Sequence, residues 1–387
     1  MSADFSDAGS VYVTPEHVTL RDQVARFLAE EVEPVAQAWE EQGHVPRGVL
    51  RKMGALGWLG ITYPQEYGGA EADALTSLVF AEALSRSTFG GFVVTVLVHT
   101  DMASPHLVHA GTPEQLRRYL PAIIRGELIT AVGITEPDAG SDVAGLRTRA
   151  RHEGGQWMLN GSKTFITNGV HADLYFIAAR TDPHAKGSRG LSMFIVEKGT
   201  PGFRVGRALE KTGWLCSDTA ELVFEDCRIP EGNLLGEENG GFYAVMRNFQ
   251  TERIALSAMA VGHCMTALAL TLDYVRTRRA FGATLYEKQA IRQRLAMLQA
   301  KTEAARQLMY HCAWLVTQGR GCVREVSMLK ALSGELANEV LYACQQFHGG
   351  MGYMRETAVE RLTRDARVLA IGGGATEIML EEVAKRS

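Results

Sequence analysis

Apolar positions fall into three successive regimes along this chain, and each predicts a different kind of element. In the first, Leu20, Val24, Phe27, Leu28, Val32 and Val35 recur at three- and four-residue steps, the stripe of an amphipathic helix. Thr14-Pro15 ahead of it offers an N-cap followed by proline at the first helical position. Thr112-Pro-Glu-Gln115 has the form of a capping box and opens a further helix. Residues 63–70, with their Gly-Gly pair, read as a turn, and the region 1–128 is expected to be helical.

Between 129 and 240 the period shortens. Residues 157–165 read as two short strands around an Asn160-Gly161 turn, a strong hairpin signal. Further β-prone runs at 174–179, 192–197 and 220–224, separated by turns, predict a compact β-barrel or sandwich. Residues 182–189 form a polar loop without evident chemistry. From 241 to 387 the helical period returns, with four or five helices that include 242–278, 289–318 and 323–347. Two glycine-rich loops punctuate them, Gly349-Gly-Met-Gly352 and Gly372-Gly-Gly374. The expected class is α+β, in the order helical, β, helical, without internal repeats.

Composition narrows the function classes. With 46% hydrophobic and 22% charged residues, the 387-residue chain has ordinary globular content and ample length for a large core. A net charge of −4 gives no electrostatic reason to expect nucleic acid or an anionic membrane. The apolar stretch 254–270 is broken by Ser257 and His263, so a buried helix is expected there, not a membrane span. Residues 1–10 carry two aspartates and neither a basic nor an apolar region. With the final Lys-Arg-Ser, they give no sign of a leader or peroxisomal address, and a cytoplasmic location is expected. Six cysteines without a Cys-x-x-Cys predict free thiols in a reducing compartment. His106 and His109 lack companion ligands, and no metal site is expected.

The candidate chemistry lies elsewhere. Ile134-Thr-Glu-Pro-Asp-Ala-Gly-Ser-Asp142 and Lys163-Thr-Phe-Ile-Thr-Asn-Gly169 cluster hydroxyls, backbone N–H groups and a planar ring, an inventory suited to a flat, polar, anionic cofactor. No P-loop or Rossmann fingerprint is present. Each glycine loop reads either as a helix-to-helix turn using positive φ, or as a backbone cradle for a pyrophosphate. Glu252 sits on the long helix with Asn248, Phe249, Ala255 and Leu256 at three- and four-residue spacing, none of them a cation. Such a carboxylate either loses hydration and becomes a base near neutrality, or is a surface or paired glutamate whose partner comes from elsewhere.

Together these segments resemble the acyl-CoA dehydrogenase family over nearly the whole chain. Cys216-Ser-Asp-Thr219, Arg278-Arg-Ala-Phe-Gly282, Gln346-Phe-His-Gly-Gly350 and Asp365-Ala-Arg367 follow in the family's order. The resemblance implies an N-terminal helical domain (1–128), a central β-domain (129–240) and a C-terminal four-helix bundle (241–387). It implies an FAD-dependent oxidoreductase of fatty acid metabolism that turns an acyl-CoA thioester into the trans-2-enoyl-CoA. In such enzymes a glutamate takes the α-proton and flavin N5 receives the β-hydride. Short- and medium-chain members carry that glutamate at the position of Gly373. Isovaleryl- and long-chain-type members place it on the long helix before an arginine, as Glu252-Arg253 stands here. The Gly373 N–H remains available as an oxyanion donor.

By the same resemblance Val132, Thr135, Gly140, Ser141, Phe165 and Thr167 would line the flavin. Arg278, Phe281 and Gln289 would reach the FAD of a neighbouring subunit, with Gln346 and Gly350 at its pyrophosphate. Ser141, Gln250, Arg253 and Gly374 would contact substrate. Ala375 replaces a common threonine, so Thr376 is expected to supply that cofactor contact, with Glu377 nearby. Asp138 stands where glycine is frequent. An electron-transfer flavoprotein is the implied acceptor and a homotetramer the implied assembly. An oxidase or flavin monooxygenase on the same fold, or action on a carrier-protein thioester, are the alternatives.

Overall fold

The structure is a computed structural model that describes residues 10–185 and 187–387. Residues 1–9, where no leader was expected, and Lys186 of the polar loop lie outside the described residues. The first region consists of α1 (Pro15–Phe27), α2 (Ala36–Gln42), α3 (Arg47–Ala55), α4 (Ala74–Leu84), α5 (Gly90–Leu97), α6 (Ser104–Ala110) and α7 (Pro113–Ile124). Both expected N-caps form. Thr14 closes a box with His17 in place of the usual glutamate, and Thr112 closes one with Gln115. The Gln115 amide also donates to the carbonyls of Gly232 and Leu234, both at 2.8 Å, so one local cap ties the helical region to the β region. The apolar stripe is less regular than its spacing predicts. After Phe27 the backbone passes into a π-helical turn at Leu28–Val32, the phase slips, and Val35 ends 45% exposed at the N-cap of α2.

The middle region holds β1 (Thr130–Gly133), β2 (Arg149–Glu153), β3 (Gln156–Thr167), β4 (Leu174–Arg180), β5 (Leu191–Glu197), β6 (Phe203–Ala208), β7 (Thr219–Pro230) and β8 (Leu234–Leu235). They form one hydrogen-bonded path, β6-β7-β3-β2-β4-β5-β8, with β1 parallel to β4. The hairpin expected at Asn160-Gly161 does not exist: β3 runs straight through it. The turn lies earlier, at Gly154-Gly155, where both φ angles are positive. Asn160-Gly161 instead opposes a bulge in β7 at Asp226 (φ 46°). The Asn160 amide donates to Asp226 at 3.1 Å, and the Asp226 N–H returns to it at 2.9 Å. Residues that suit a turn also suit a bulge, which needs the same polar side chains and relaxed backbone.

The third region has three long helices, α8 (Gly241–Thr277), α9 (Gln289–Thr317) and α10 (Val323–Phe347), with the short α11 (Ala358–Ala366) and α12 (Thr376–Ala384) against α10. α8 is long and apolar enough to cross a membrane, but 89% of its apolar window is buried inside the protein, as in a core helix. α4 packs on both α8 and α9, so the helical regions share one apolar core. The six cysteines are free and buried.

Candidate active site

The two polar signatures meet through one buried ion pair. Beyond β1, Glu136 and Ala139 exchange backbone hydrogen bonds at 2.9 and 3.1 Å and close a tight loop. The Glu136 carboxylate accepts from the N–H groups of Arg147 at 2.6 Å and Thr148 at 2.9 Å, and from Lys163 Nζ at 2.7 Å. Lys163 also donates to the Ile134 carbonyl at 3.0 Å and is wholly buried. Burial pushes its pKa down to about 8 against the pull of Glu136. For Glu136, burial acts to raise the pKa, yet Lys163 and the N–H donors outweigh it and hold the carboxyl below its usual range. This clamp was not anticipated. Its sequence signal is slight: one charged residue of each sign, Glu136 and Lys163, within the two polar segments.

The clamp leaves the expected cofactor contacts facing outward: Val132, Thr135 and Thr167 are half-buried, and Gly140 and Ser141 are exposed. Phe165 is 69% exposed and holds a left-handed backbone (φ 60°) where β3 carries one residue more than β7. That conformation costs about 1–2 kcal/mol for a non-glycine residue, and strain of this kind in an exposed aromatic marks a site. A Cβ on Gly140 would meet nothing within 4 Å. Open backbone beside hydroxyls and an exposed ring fits a flat, phosphate-bearing group such as FAD.

Glu252 lies on α8, and the loop after α11 closes over it. A Cβ built on Gly373 would lie 3.2 Å from Glu252 Oε1 and 2.2 Å from Leu256 Cδ1, so the helix carboxylate and the loop position point into the same corner. The loop is held from below by Lys330 of α10, which is buried and donates to the carbonyls of Leu369 at 2.7 Å and Gly374 at 3.1 Å. Arg253 reaches the Gly373 carbonyl at 3.4 Å, its guanidinium 5.3 Å from the Phe249 ring centre. Among the described residues the Gly373 N–H (φ 65°) makes no hydrogen bond. Glu252 is half-buried at the cleft, and the atoms crowding it push its pKa up to about 7, with the charges of Arg253 and Lys330 pulling the other way. Lys330 is a nearby cation from another helix that helix spacing could not reveal, acting on Glu252 through its charge without a hydrogen bond to the carboxylate.

The other expected residues separate into two groups. Arg253 adjoins Glu252 and Gly374 lies in the loop over it, whereas Gln250, two residues along α8, accepts from Cys322 Sγ at 3.6 Å, and Glu377 is exposed at the start of α12. The Thr376 hydroxyl donates to Glu335 at 2.8 Å, so toward a ligand its oxygen is left as an acceptor. Arg278, Phe281, Gln289, Gln346 and Gly350 cluster at the opposite end of α8, roughly 40 Å away at about 1.5 Å per residue. All five are exposed, Phe281 at 97% and with φ 52°. His106 is buried, and no group of three or more His, Cys, Asp or Glu gathers among the described residues.

Beside Glu252 on α8 opens a cavity of about 220 Å³, walled by α4, the π-helical segment Val98–Ala103, α6, α8 and α9. Thr251, Ile254 and Ala255 contribute its α8 wall. Leu78, Ala81 and Val316 are apolar lining residues, while Asp101, Ser77 and Thr100 bring polar groups to the wall.

Comparison with known proteins agrees with this arrangement. The models of the acyl-CoA dehydrogenase N-terminal, middle and C-terminal domains match residues 14–127, 131–227 and 239–387. The long-chain specific acyl-CoA dehydrogenase of Rattus norvegicus mitochondria is 41% identical, over 96% of this chain and 86% of that protein. The crystal structure of an acyl-CoA dehydrogenase from Geobacillus kaustophilus superposes with a TM-score of 0.94 at 40% identity, covering 97% of this chain and 99% of that one. An FAD complex of PigA superposes at 0.93 with 29% identity, over 99% and 98% of the two chains. By fold, by site and by these matches, the chain belongs to the FAD-dependent acyl-CoA dehydrogenase family.

Proposed function

We propose that this enzyme oxidises an acyl-CoA thioester to the trans-2-enoyl-CoA, with Glu252 as the base that removes the α-proton. One observation carries the assignment: Glu252 Oε1 lies 3.2 Å from where a Gly373 side chain would begin, so the carboxylate occupies the corner the loop would otherwise supply. A pKa near 7 suits it, since a base is most effective close to the working pH. The Gly373 N–H is free to hold the thioester oxygen as negative charge develops there. Lys330, by fixing the carbonyls on either side of Gly373, keeps that N–H in place. The cavity beside Thr251 and Ile254 receives the acyl chain, and at about 30 Å³ per water-sized group it has room for roughly seven such groups. FAD, when bound beside Phe165, supplies the hydride acceptor.

Arg278, Phe281 and Gln289 stand too far from Glu252 to serve the same cofactor. Their exposure supports a homotetramer in which each copy completes its neighbour's site, and an electron-transfer flavoprotein is the proposed acceptor. The test is anaerobic reduction of the purified flavoprotein by acyl-CoA. Glu252→Gln should keep its FAD absorbance and lose reduction by about 10²- to 10⁴-fold. Near-normal bleaching in that variant removes Glu252 from the role. Rapid peroxide release in air, without need of the acceptor flavoprotein, would assign an oxidase instead.

A further inference from the structure

One polar part of the cavity wall is built unlike the rest of it. Asp101 sits in the π-helical segment Val98–Ala103 and is 6% exposed. Interruptions of this kind in a helix tend to aim a side chain at a functional site. Its Oδ1 accepts from Ser77 Oγ at 3.2 Å and its Oδ2 from Thr100 Oγ1 at 2.6 Å. The Thr100 hydroxyl has one proton but faces two acceptors, since the Val96 carbonyl lies 3.0 Å away. The carboxyl is therefore under-supplied with donors. Burial raises its pKa to about 6, and the only opposing influences are the Thr100 and Ser77 hydroxyls: no cation among the described residues lowers it. For His109, on another wall, burial and the charge of Arg247 lower the pKa. A buried acid with neither counter-charge nor a full set of donors is a poor stabiliser, and its place in a ligand cavity gives it another use.

Resting on the proposed dehydrogenation, we infer that the preferred acyl group carries a hydroxyl that donates to the Asp101 carboxylate, while Leu78, Ala81, Ile254 and Val316 pack its methylenes. A plain alkyl chain would leave Asp101 desolvated with only the Ser77 and Thr100 hydroxyls, and would bind less well for that reason.

The experiment compares flavin reduction by straight-chain acyl-CoAs and their ω-hydroxy counterparts of matched length, in the FAD-loaded wild type and in Asp101→Leu. Wild type should favour the hydroxylated member at its best length on the order of 10- to 100-fold. Asp101→Leu should lose that preference, gain rate on plain chains, and melt no lower than wild type, since a buried acid without a counter-charge has been replaced by an apolar group. If the Leu variant does not fold, Asp101→Asn keeps the shape and should weaken the preference several-fold. No wild-type preference at any length, or the same preference in both variants, overturns the inference and leaves the dehydrogenase assignment intact. If no thioester of either series bleaches the flavin, both fall.

Discussion

Two carboxylates from the two halves of this enzyme are buried to similar effect and end with opposite chemistry. Glu136, in the β region, sits 2.7 Å from Lys163 and accepts two backbone N–H bonds, and its pKa falls. Glu252, on α8, has neighbouring cations but no such direct donors among the described residues, and its pKa rises to about 7. Burial pushes both the same way. What differs is whether donors touch the carboxylate, and that decides which acid clamps a loop and which is left to take a proton.

The largest way to test this contrast is catalytic. Glu136→Gln and Glu252→Gln both remove a buried charge, yet only the second should abolish flavin reduction while leaving FAD bound. Urea unfolding should show the reverse ranking for Glu136: stripping one partner from the Lys163 pair costs about 3–5 kcal/mol, because the lysine is left buried and unpaired.

A smaller effect concerns pH. The Glu252 carboxyl is protonated more readily in the folded protein than in the unfolded chain, so its penalty is absent below about pH 4.5 and grows as pH rises toward 7. Glu252→Gln should thus be more stable than wild type above neutrality by at most about 3 kcal/mol, and equal to it in acid. Equal stability at all pH values would mean that the carboxyl is not desolvated. In wild type, flavin reduction should rise with pH through an apparent pKa near 7.

The smallest effect tests Lys330. Its charge favours ionised Glu252, so Lys330→Met should move that pH profile to higher pH and slow reduction several-fold at pH 7, with partial recovery in alkaline buffer. A slowed variant with an unmoved profile would limit Lys330 to holding the loop.

Much of this was legible in the residue order. α10 spans the expected 323–347, and the bounds of α8 and α9 shift by a single residue, because periodicity and local breakers set where a helix runs. The N-cap at Thr14 and the capping box at Thr112 are equally local. Glu252 stood out because no cation lies three or four residues from it on its helix, and the neighbouring signatures marked the cofactor side. Asn160-Gly161 misled because its chemistry fits a bulge as well as a turn, and only the β7 partner chooses between them.

What tertiary structure alone decided are contacts between segments far apart in the chain. Lys330 reaches the loop over Glu252 from a different helix, and Asp101 meets Ser77 in the wall of a cavity enclosed by five separate elements. Hydration is lost by packing, not by sequence neighbours, so the direction of a buried acid's pKa becomes known only when every surrounding element is in place.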